Sequence, residues 1–283
     1  MTLPSSGPLS LQDINNEFGR GANLNAYRGT PYFFPGNINQ YYFPSGTISI
    51  SNFYGTQANN PVTPGSQSFT SVGLTSFNVP LFNTITVEIW GGGGSGGEAY
   101  NSNTVSQGGQ GGSYVKYGIA PGQITVGSTQ NVYVGSGAAG VQSNGGAGNP
   151  GTYSYFGDAI WAIGGYGGRG QFAGATGAPS YSPSVSVPWT LLISEGGGGG
   201  GYGGGGGSVT YAGGGGGGGQ NTAYVSRPGG TSTFGGNGGL GNGGWAGIPG
   251  TPNAFSPAGG GGGMVYTNVT GAGGNGKVLV TWS

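Results

Sequence analysis

The chain has 283 residues, of which 75 are glycine, and it carries only six basic and six acidic residues, no histidine and no cysteine. With so few cations, scattered along the chain, it lacks the basic patch that a nucleic-acid-binding protein needs to neutralise phosphates. The absence of cysteine excludes disulfides and thiolate metal sites, and the absence of histidine excludes Ser-His-Asp and Cys-His catalytic groups.

The glycine content raises the question of disorder. With 75 glycines and 17 prolines, the chain falls in the compositional range of low-complexity sequences. Disordered segments, however, usually combine a high net charge with few aromatic residues. This chain has a net charge of zero and carries 12 phenylalanines, 17 tyrosines and 5 tryptophans. The composition therefore favours an ordered glycine-rich structure, and flexible glycine linkers are the alternative.

Two related segments, 6–14 and 45–53, mark the N-terminal region. Both follow the pattern S-G-x-[L/I]-S-[L/I]-x-[D/N]-[I/F]. The first segment predicts the start of a short helix, because Ser10 can cap its first turn and Gly19 can end it. The second segment predicts a shorter version of the same turn. We therefore expect a small irregular module over residues 1–56 with one or two short helices.

Apolar residues of this module are the candidates for attachment to a partner. A module of about 60 residues with such short helices buries little core alone, so we expect it to be stable when docked on a partner. In the first segment, Leu11, Ile14 and Phe18 fall on one helical face. The candidate attachment residues are Leu9, Leu11, Ile14, Phe18, Ile48, Ile50 and Phe53.

The order of these motifs resembles a module that begins many structural proteins of tailed phages. The matching stretches are LPSSGPLSL at residues 3–11 and SGTISISNFYG at residues 45–55, with a helix-like stretch between them. The segment 32–43 departs from the pattern, since it is richer in aromatic residues. The resemblance implies that residues 1–56 attach the protein to other tail or fibre proteins of a virion.

The segment 57–66 is polar and interrupted by proline, which is typical of a linker. The region that follows, 67–283, has strand patterns at both ends. In 84–90, every second residue is isoleucine or valine, as expected for a strand with one buried face. Further strand candidates are 67–72, 76–80, 113–119, 131–134, 159–163 and 277–282. Pairing of the last strand with an early one would close the domain.

Long glycine runs lie between the strand candidates, at 196–201, 203–207, 213–219 and 259–263. Ordering glycine costs more backbone entropy than ordering any other residue, so an ordered run needs compensating interactions. In the polyproline-II conformation there are no internal hydrogen bonds, and bare neighbouring chains can bond side by side. Collagen is excluded because the runs lack its strict three-residue register. We therefore expect a mainly β fold, with a β-sandwich-like domain that contains a bundle of polyglycine-II helices.

The motif order of this second region resembles the glycine-rich domain of phage tail proteins and tail-tip adhesins. The matching stretches are FNVP at 77–80, ITVEIWGGGG at 85–94, GGSYV at 111–115, APGQ at 120–123 and VYVG at 132–135. The resemblance implies a role in receptor binding at the host surface.

Three segments, 172–189, 224–228 and 245–255, are candidate receptor contacts. They combine aromatic residues with small polar ones, as antibody-type binding loops do. The alternative is that their aromatic side chains only cover polyglycine helices. The candidate receptor-binding residues are Phe172, Tyr181, Trp189, Tyr224, Arg227, Trp245 and Phe255.

These patterns predict a non-enzymatic tail or fibre protein of a virion, made in the host cytoplasm, that recognises a host-surface glycan or outer-membrane protein. We expect no catalytic residue, metal site or cofactor, and no membrane insertion, since no run of about 18 apolar residues occurs. The expected partners are other tail or fibre proteins and a host receptor. Multiple copies, with a homotrimer as one arrangement, would raise avidity. A purely structural fibre, baseplate or capsid-decorating protein without receptor binding is the alternative.

Overall fold

The computed structural model describes residues 2–35, 40–59, 62–99, 105–142, 145–170, 187–219, 227–241, 258–265 and 269–283. The chain divides into two units, Met1–Thr63 with Pro80–Phe82 and Pro64–Val79 with Asn83–Ser283. The mainly β fold expected from the sequence is confirmed, because strands far outnumber helices in the described residues.

The helix of the first unit, α1, spans Leu11–Phe18 and starts at a reciprocal cap. The Ser10 N–H donates to Asp13 Oδ2 over 2.9 Å, and the Asp13 N–H donates to Ser10 Oγ over 3.1 Å. The helix ends at Gly19, whose φ of 66° is the left-handed conformation that glycine adopts without strain. The predicted start and end of the helix are thus confirmed.

The first unit has a small aromatic core of its own. Around α1 lie two 3₁₀ helices and a hairpin, whose bounds are Leu24–Tyr27, Ile50–Phe53, β1 (Pro31–Tyr32) and β2 (Tyr41–Tyr42). The ring of Phe18 meets the rings of Tyr27, Phe43 and Phe53 edge-on, at centroid distances of 6.1, 5.3 and 5.9 Å. The two related segments therefore bury their apolar residues against each other, more completely than the length of the module suggested.

The described residues of the second unit include eleven strands, and nine of them form two antiparallel sheets. One sheet has the order β11-β7-β5-β13-β3 and the other has the order β10-β9-β8-β4; β6 and β12 form a separate parallel pair. The strands are β3 (Gly65–Phe69), β4 (Gly73–Asn78), β5 (Ile85–Trp90), β6 (Glu98–Ala99), β7 (Tyr114–Ile119), β8 (Thr129–Val134), β9 (Ser154–Phe156), β10 (Ile160–Ala162), β11 (Thr190–Glu195), β12 (Met264–Val265) and β13 (Lys277–Trp282).

The two sheets pack face to face as a sandwich. Phe77 of β4 in one sheet lies 6.5 Å from Phe69 and 5.8 Å from Trp282 of the other sheet, measured between ring centroids. The expected closure of the domain is confirmed, because the last strand, β13, pairs with both β3 and β5.

Beyond the sheets, the glycine-rich segments bond to one another with a period of three residues. In 91–97, successive N–H groups donate in turn to three different neighbouring segments. The bonds run to 107–113 (Gly91–Ser113, Gly94–Gln110, Gly97–Gln107), to 149–152 (Gly92–Thr152, Ser95–Asn149) and to 271–274 (Gly93–Gly274, Gly96–Gly271), with N···O distances of 2.8–3.0 Å. Three residues per turn with purely lateral bonds define polyglycine-II helices. The predicted run 213–219 has the same period, since its N–H groups donate in turn to 109–112, 236–239 and 204–207.

The carbonyl groups of the same segment accept bonds from further neighbours. Gly92 accepts from Gly165, Gly93 from Ala138 and Gly94 from Gly261, over 2.7–2.9 Å. A second segment, 107–113, repeats the arrangement with donors to 163–169, 198–201 and 258–261. These two segments therefore lie inside a bundle in which chains surround them on all sides.

Such packing leaves no room for side chains. A Cβ built on Gly94 would lie 2.0 Å from the carbonyl oxygen of Tyr166, and one on Gly111 would lie 1.9 Å from that of Gly213. Carbon and oxygen atoms cannot approach so closely, so an alanine at either position would push two backbones apart and break their hydrogen bonds. Glycine is therefore required here by the close approach of the chains.

We expect Gly94→Ala to lower the free energy of unfolding by at least about 2 kcal/mol, because it overpacks the bundle. Gly199→Ala is the matched control: Gly199 is exposed, and a Cβ there would meet no atom within 4 Å. The control should be neutral or stabilise by about 0.4–1 kcal/mol, since alanine reduces the entropy of the unfolded chain. Urea unfolding followed by circular dichroism measures both, and equal midpoints for the two variants would contradict the lateral packing.

Candidate binding face

The outer face of the four-stranded sheet carries a cluster of aromatic side chains. Along β8, β9 and β10, the residues that point into the sandwich are fully buried, among them Val132, Phe156 and Ile160. Their neighbours in sequence point outward because strand side chains alternate. The outward aromatic residues are Tyr133, Tyr155 and Trp161, and Tyr153 adjoins them; these four are called the aromatic face.

Strand register brings these residues together from separate parts of the chain. Tyr133 is paired with Tyr155, and Tyr155 with Trp161, so their rings form a row across three neighbouring strands. On the fourth strand, Leu74 is paired with Tyr133 and is 64% exposed. The row therefore crosses the whole sheet.

The rings of the aromatic face overlap in a shingled arrangement. Their centroids are 5.5 Å apart for Tyr133–Tyr155, 5.4 Å for Tyr155–Trp161 and 4.6 Å for Tyr153–Trp161. The angles between neighbouring ring planes range from 15° to 43°. Offset stacking of this kind stabilises aromatic clusters beyond the area that they bury. Mutual stacking thus fixes the rings before any ligand arrives.

A polar group borders the face at the turn between β9 and β10. Gly157 and Asp158 both have left-handed backbones there, with φ values of 63° and 55°. Asn131 Nδ2 donates to Asp158 Oδ2 over 2.8 Å. Burial raises the pKa of Tyr155 above its usual value. The negative charge of Asp158, and the hydrogen bond that the Tyr155 hydroxyl donates to the Asp158 carboxylate, raise this pKa further. The Tyr155 hydroxyl therefore stays protonated at neutral pH and is held by the carboxylate.

The face carries very little charge. In the segments 73–78, 129–134 and 152–162, which the structure describes throughout, Asp158 is the only residue with a charged side chain at neutral pH. A surface with four aromatic rings, one carboxylate and no cation can stack against apolar surface and accept hydrogen bonds. It offers nothing to neutralise an anionic ligand.

Most of the receptor-contact residues predicted from sequence lie outside the described residues. These are Phe172, Tyr181, Tyr224, Trp245 and Phe255. Trp189 is described and half-buried: its ring lies 6.0 Å from that of Phe156, and its Nε1–H donates to the Gln123 carbonyl over 3.3 Å. Arg227 exchanges two backbone hydrogen bonds of 2.9 Å with Gly241. For Trp189, packing against the protein's own sheet is the role that its contacts support.

The seven predicted attachment residues build the core of the first unit. Ile14, Ile48 and Phe53 are buried, and the half-buried Leu9, Leu11, Phe18 and Ile50 pack against them. The buried three have no surface to offer a partner, so any contribution that they make to attachment is through the fold. The exposed aromatic residues of this unit are on and beside its hairpin, where Phe34 is 37% and Tyr42 is 63% exposed.

Sequence reasoning did not identify the aromatic face as a site. The patterns at 131–134 and 159–163 predict strands that contain Tyr133 and Trp161, but they do not predict that these two residues share a face. The signal that was available is the alternation in 153–156, where two tyrosines flank a serine before Phe156. That pattern, however, does not predict which strands lie side by side in the sheet.

The architecture is thus a β-sandwich joined to a polyglycine-II bundle. A family model described as a glycine-rich domain matches residues 70–283. Because the match covers more than half of the chain, the protein belongs to this glycine-rich domain family. No curated protein matches the chain at a significant level.

The described residues bring together no group of three or more acidic side chains that could hold a metal ion. Among them, no helix combines the length and apolar character needed to span a bilayer.

We expect Asp158→Asn to lower the pKa of Tyr155, because it removes a negative charge that opposes formation of the phenolate. The pKa should stay above its ordinary value, since the burial of the ring persists. NMR titration of ¹³C-labelled tyrosine measures the change. Asp13→Asn, which removes an acid from the first unit, is the control and should leave Tyr155 unaffected. An unchanged pKa in Asp158→Asn would show that the two groups are not in contact in solution.

Proposed function

We propose that this protein is a non-enzymatic receptor-binding component of a tailed-phage particle, held in the tail or fibre by its first unit and contacting the host surface with its second. The observation that carries the proposal is the aromatic face, displayed on a sheet whose chains continue into the polyglycine-II bundle. Within this face Tyr153 is 43% exposed and the other three rings are half-buried, and apolar surface grouped in this way marks interaction sites in soluble proteins.

The bundle supports this role because its chains are held together by backbone hydrogen bonds that do not depend on side chains. Binding costs free energy when flexible groups are ordered, and a preorganised surface avoids part of that cost. The stacked rings of the aromatic face and the hydrogen-bonded turn at Asp158 are both fixed in the free protein. A receptor would therefore meet a surface that is already arranged.

Support for the phage particle comes from the sequence resemblance of the first unit to a module of tailed-phage structural proteins. In the described part of that unit, Phe34 and Tyr42 are large apolar residues that are exposed. They are suited to contact a neighbouring tail or fibre protein, since aromatic side chains dominate the energetics of protein interfaces.

A purely structural virion protein is the second candidate. The extent of the bundle favours it, because lateral backbone bonds stabilise a fibre or decoration without any need for recognition. Such a protein would leave the aromatic face without a ligand. The two candidates therefore differ in whether the isolated protein binds host cells.

We expect the purified, fluorescently labelled full-length chain to bind cells of the phage's host and to slow phage adsorption as its concentration rises. Flow cytometry and an adsorption assay measure the two effects. Cells of a bacterium that the phage does not infect are the control. A protein that neither binds host cells nor delays adsorption would support the purely structural role instead.

We expect a phage that encodes this protein without residues 1–63 to assemble particles that lack the protein, because the attachment unit is missing. Immunoblotting of purified particles measures incorporation. Circular dichroism and thermal unfolding of the shortened chain should still report a folded second unit, since its sheets and bundle bond within residues 64–283. Particles that contain normal amounts of the shortened protein would contradict the proposal that the first unit attaches the protein to the particle.

A further inference from the structure

We propose that the aromatic face, formed by Tyr133, Tyr153, Tyr155 and Trp161, binds a neutral glycan whose hydroxyl groups hydrogen-bond to Asp158 and Asn131. This inference rests on the proposed function and names the ligand class and the site. The ligand class follows from three properties of the face: its shape, its chemistry and its charge.

The shape is that of a shallow surface. The row from Tyr133 to Trp161 crosses three strands, or about 10 Å. An extended chain of sugar rings can lie along such a row, with each ring over one or two side chains. A rounded ligand would need a cavity that the shingled rings do not enclose.

The chemistry matches both sides of a pyranose ring. Its C–H groups carry partial positive charge and are attracted by the negative faces of aromatic rings. Its hydroxyl groups need strong acceptors and donors, which Asp158 and Asn131 provide at the border. The phenol groups of the three tyrosines add further donors and acceptors.

The charge of the face favours a neutral glycan over an anionic ligand. Asp158 is the only charged residue of the strands and the turn that form the face. An acidic polysaccharide or a phosphate-bearing ligand would be repelled and would find no cation to pair with. A neutral glycan meets no such penalty.

A cationic ligand is the strongest competitor, because aromatic rings and a carboxylate attract quaternary ammonium groups. Cages for such groups need rings that surround the cation. Here neighbouring planes lie within 15° to 43° of parallel, so the rings stack on each other. The geometry therefore favours the glycan.

The test uses the full-length chain and defined probes: neutral dextran, mannan, galactan and cellohexaose, anionic polygalacturonate, choline chloride, and the neutral and anionic glycan fractions released from the host envelope. Isothermal titration and tryptophan fluorescence measure binding. We expect saturable binding of at least one neutral glycan and none of polygalacturonate or choline. Binding of no neutral glycan, or tighter binding of an anionic probe or of choline, would overturn the proposal.

Variants locate the site. Tyr153→Ala and Trp161→Phe should weaken neutral-glycan binding at least tenfold, and Asp158→Asn about fivefold. Asparagine tolerates the left-handed backbone at this position, so the last change leaves the turn intact. Tyr202→Ala is the matched control, because Tyr202 is 60% exposed and lies outside the face. Wild-type affinity in both Tyr153→Ala and Trp161→Phe, with circular dichroism unchanged, would place the glycan elsewhere and refute the assignment.

The same variants separate this inference from the proposed function. If Tyr153→Ala and Trp161→Phe bind host cells as the unchanged protein does, the receptor role stands and the aromatic face is not the site. If neutral glycans bind the face but the protein neither binds host cells nor blocks adsorption, the site stands and the receptor role fails. Loss of both glycan and cell binding in the face variants, with Tyr202→Ala unaffected, supports both proposals.

Discussion

The lateral hydrogen bond between side-chain-free backbones is the interaction on which this structure depends. Glycine has the largest entropic cost of ordering, and a bundle of glycine-rich chains has almost no apolar side chain to offset it. What offsets it is that successive amides of 91–97 and 107–113 donate to different neighbours. The same closeness that allows these bonds excludes a Cβ atom, as the 2.0 Å approach at Gly94 shows. The close packing of the chains therefore requires glycine, and the lateral hydrogen bonds that this packing allows keep the glycine-rich chains ordered.

The sandwich sets the register of the bundle. Strands β5 and β7 pair up to Trp90 and Tyr114, and the bond between Gly91 and Ser113 continues the same pairing into polyglycine-II helices. Strands β5 and β13 continue in the same way into the bonds with 271–274. Bare glycine runs have no side chains to distinguish one alignment from another. Side-chain packing in the sheets selects one alignment of the chains, because a one-residue slip would turn buried strand residues outward.

The sequence predicted those features that depend on local pattern. Alternation identified the strand at 84–90, glycine runs identified the bundle, and Ser10 and Gly19 marked the helix. The aromatic face could not be predicted from the sequence because it depends on strand register: Tyr133, Tyr155 and Trp161 become neighbours only when three strands pair. Apolar periodicity in the first unit was likewise ambiguous, since it signals burial without saying whether a residue is buried in its own core, as Ile14 is, or against a partner.

A scaffold of this kind separates stability from recognition. The bundle shows almost no side chains, so the proposed recognition would depend on the loops and on the outer faces of the sheets. On β8, β9 and β10, buried residues such as Val132 and Phe156 hold the sheet, while the alternating outward residues take no part in the sandwich core. An outward residue such as Tyr133 can therefore be exchanged with little effect on the core or the bundle. A binding face built on these positions can change its ligand without a change of fold.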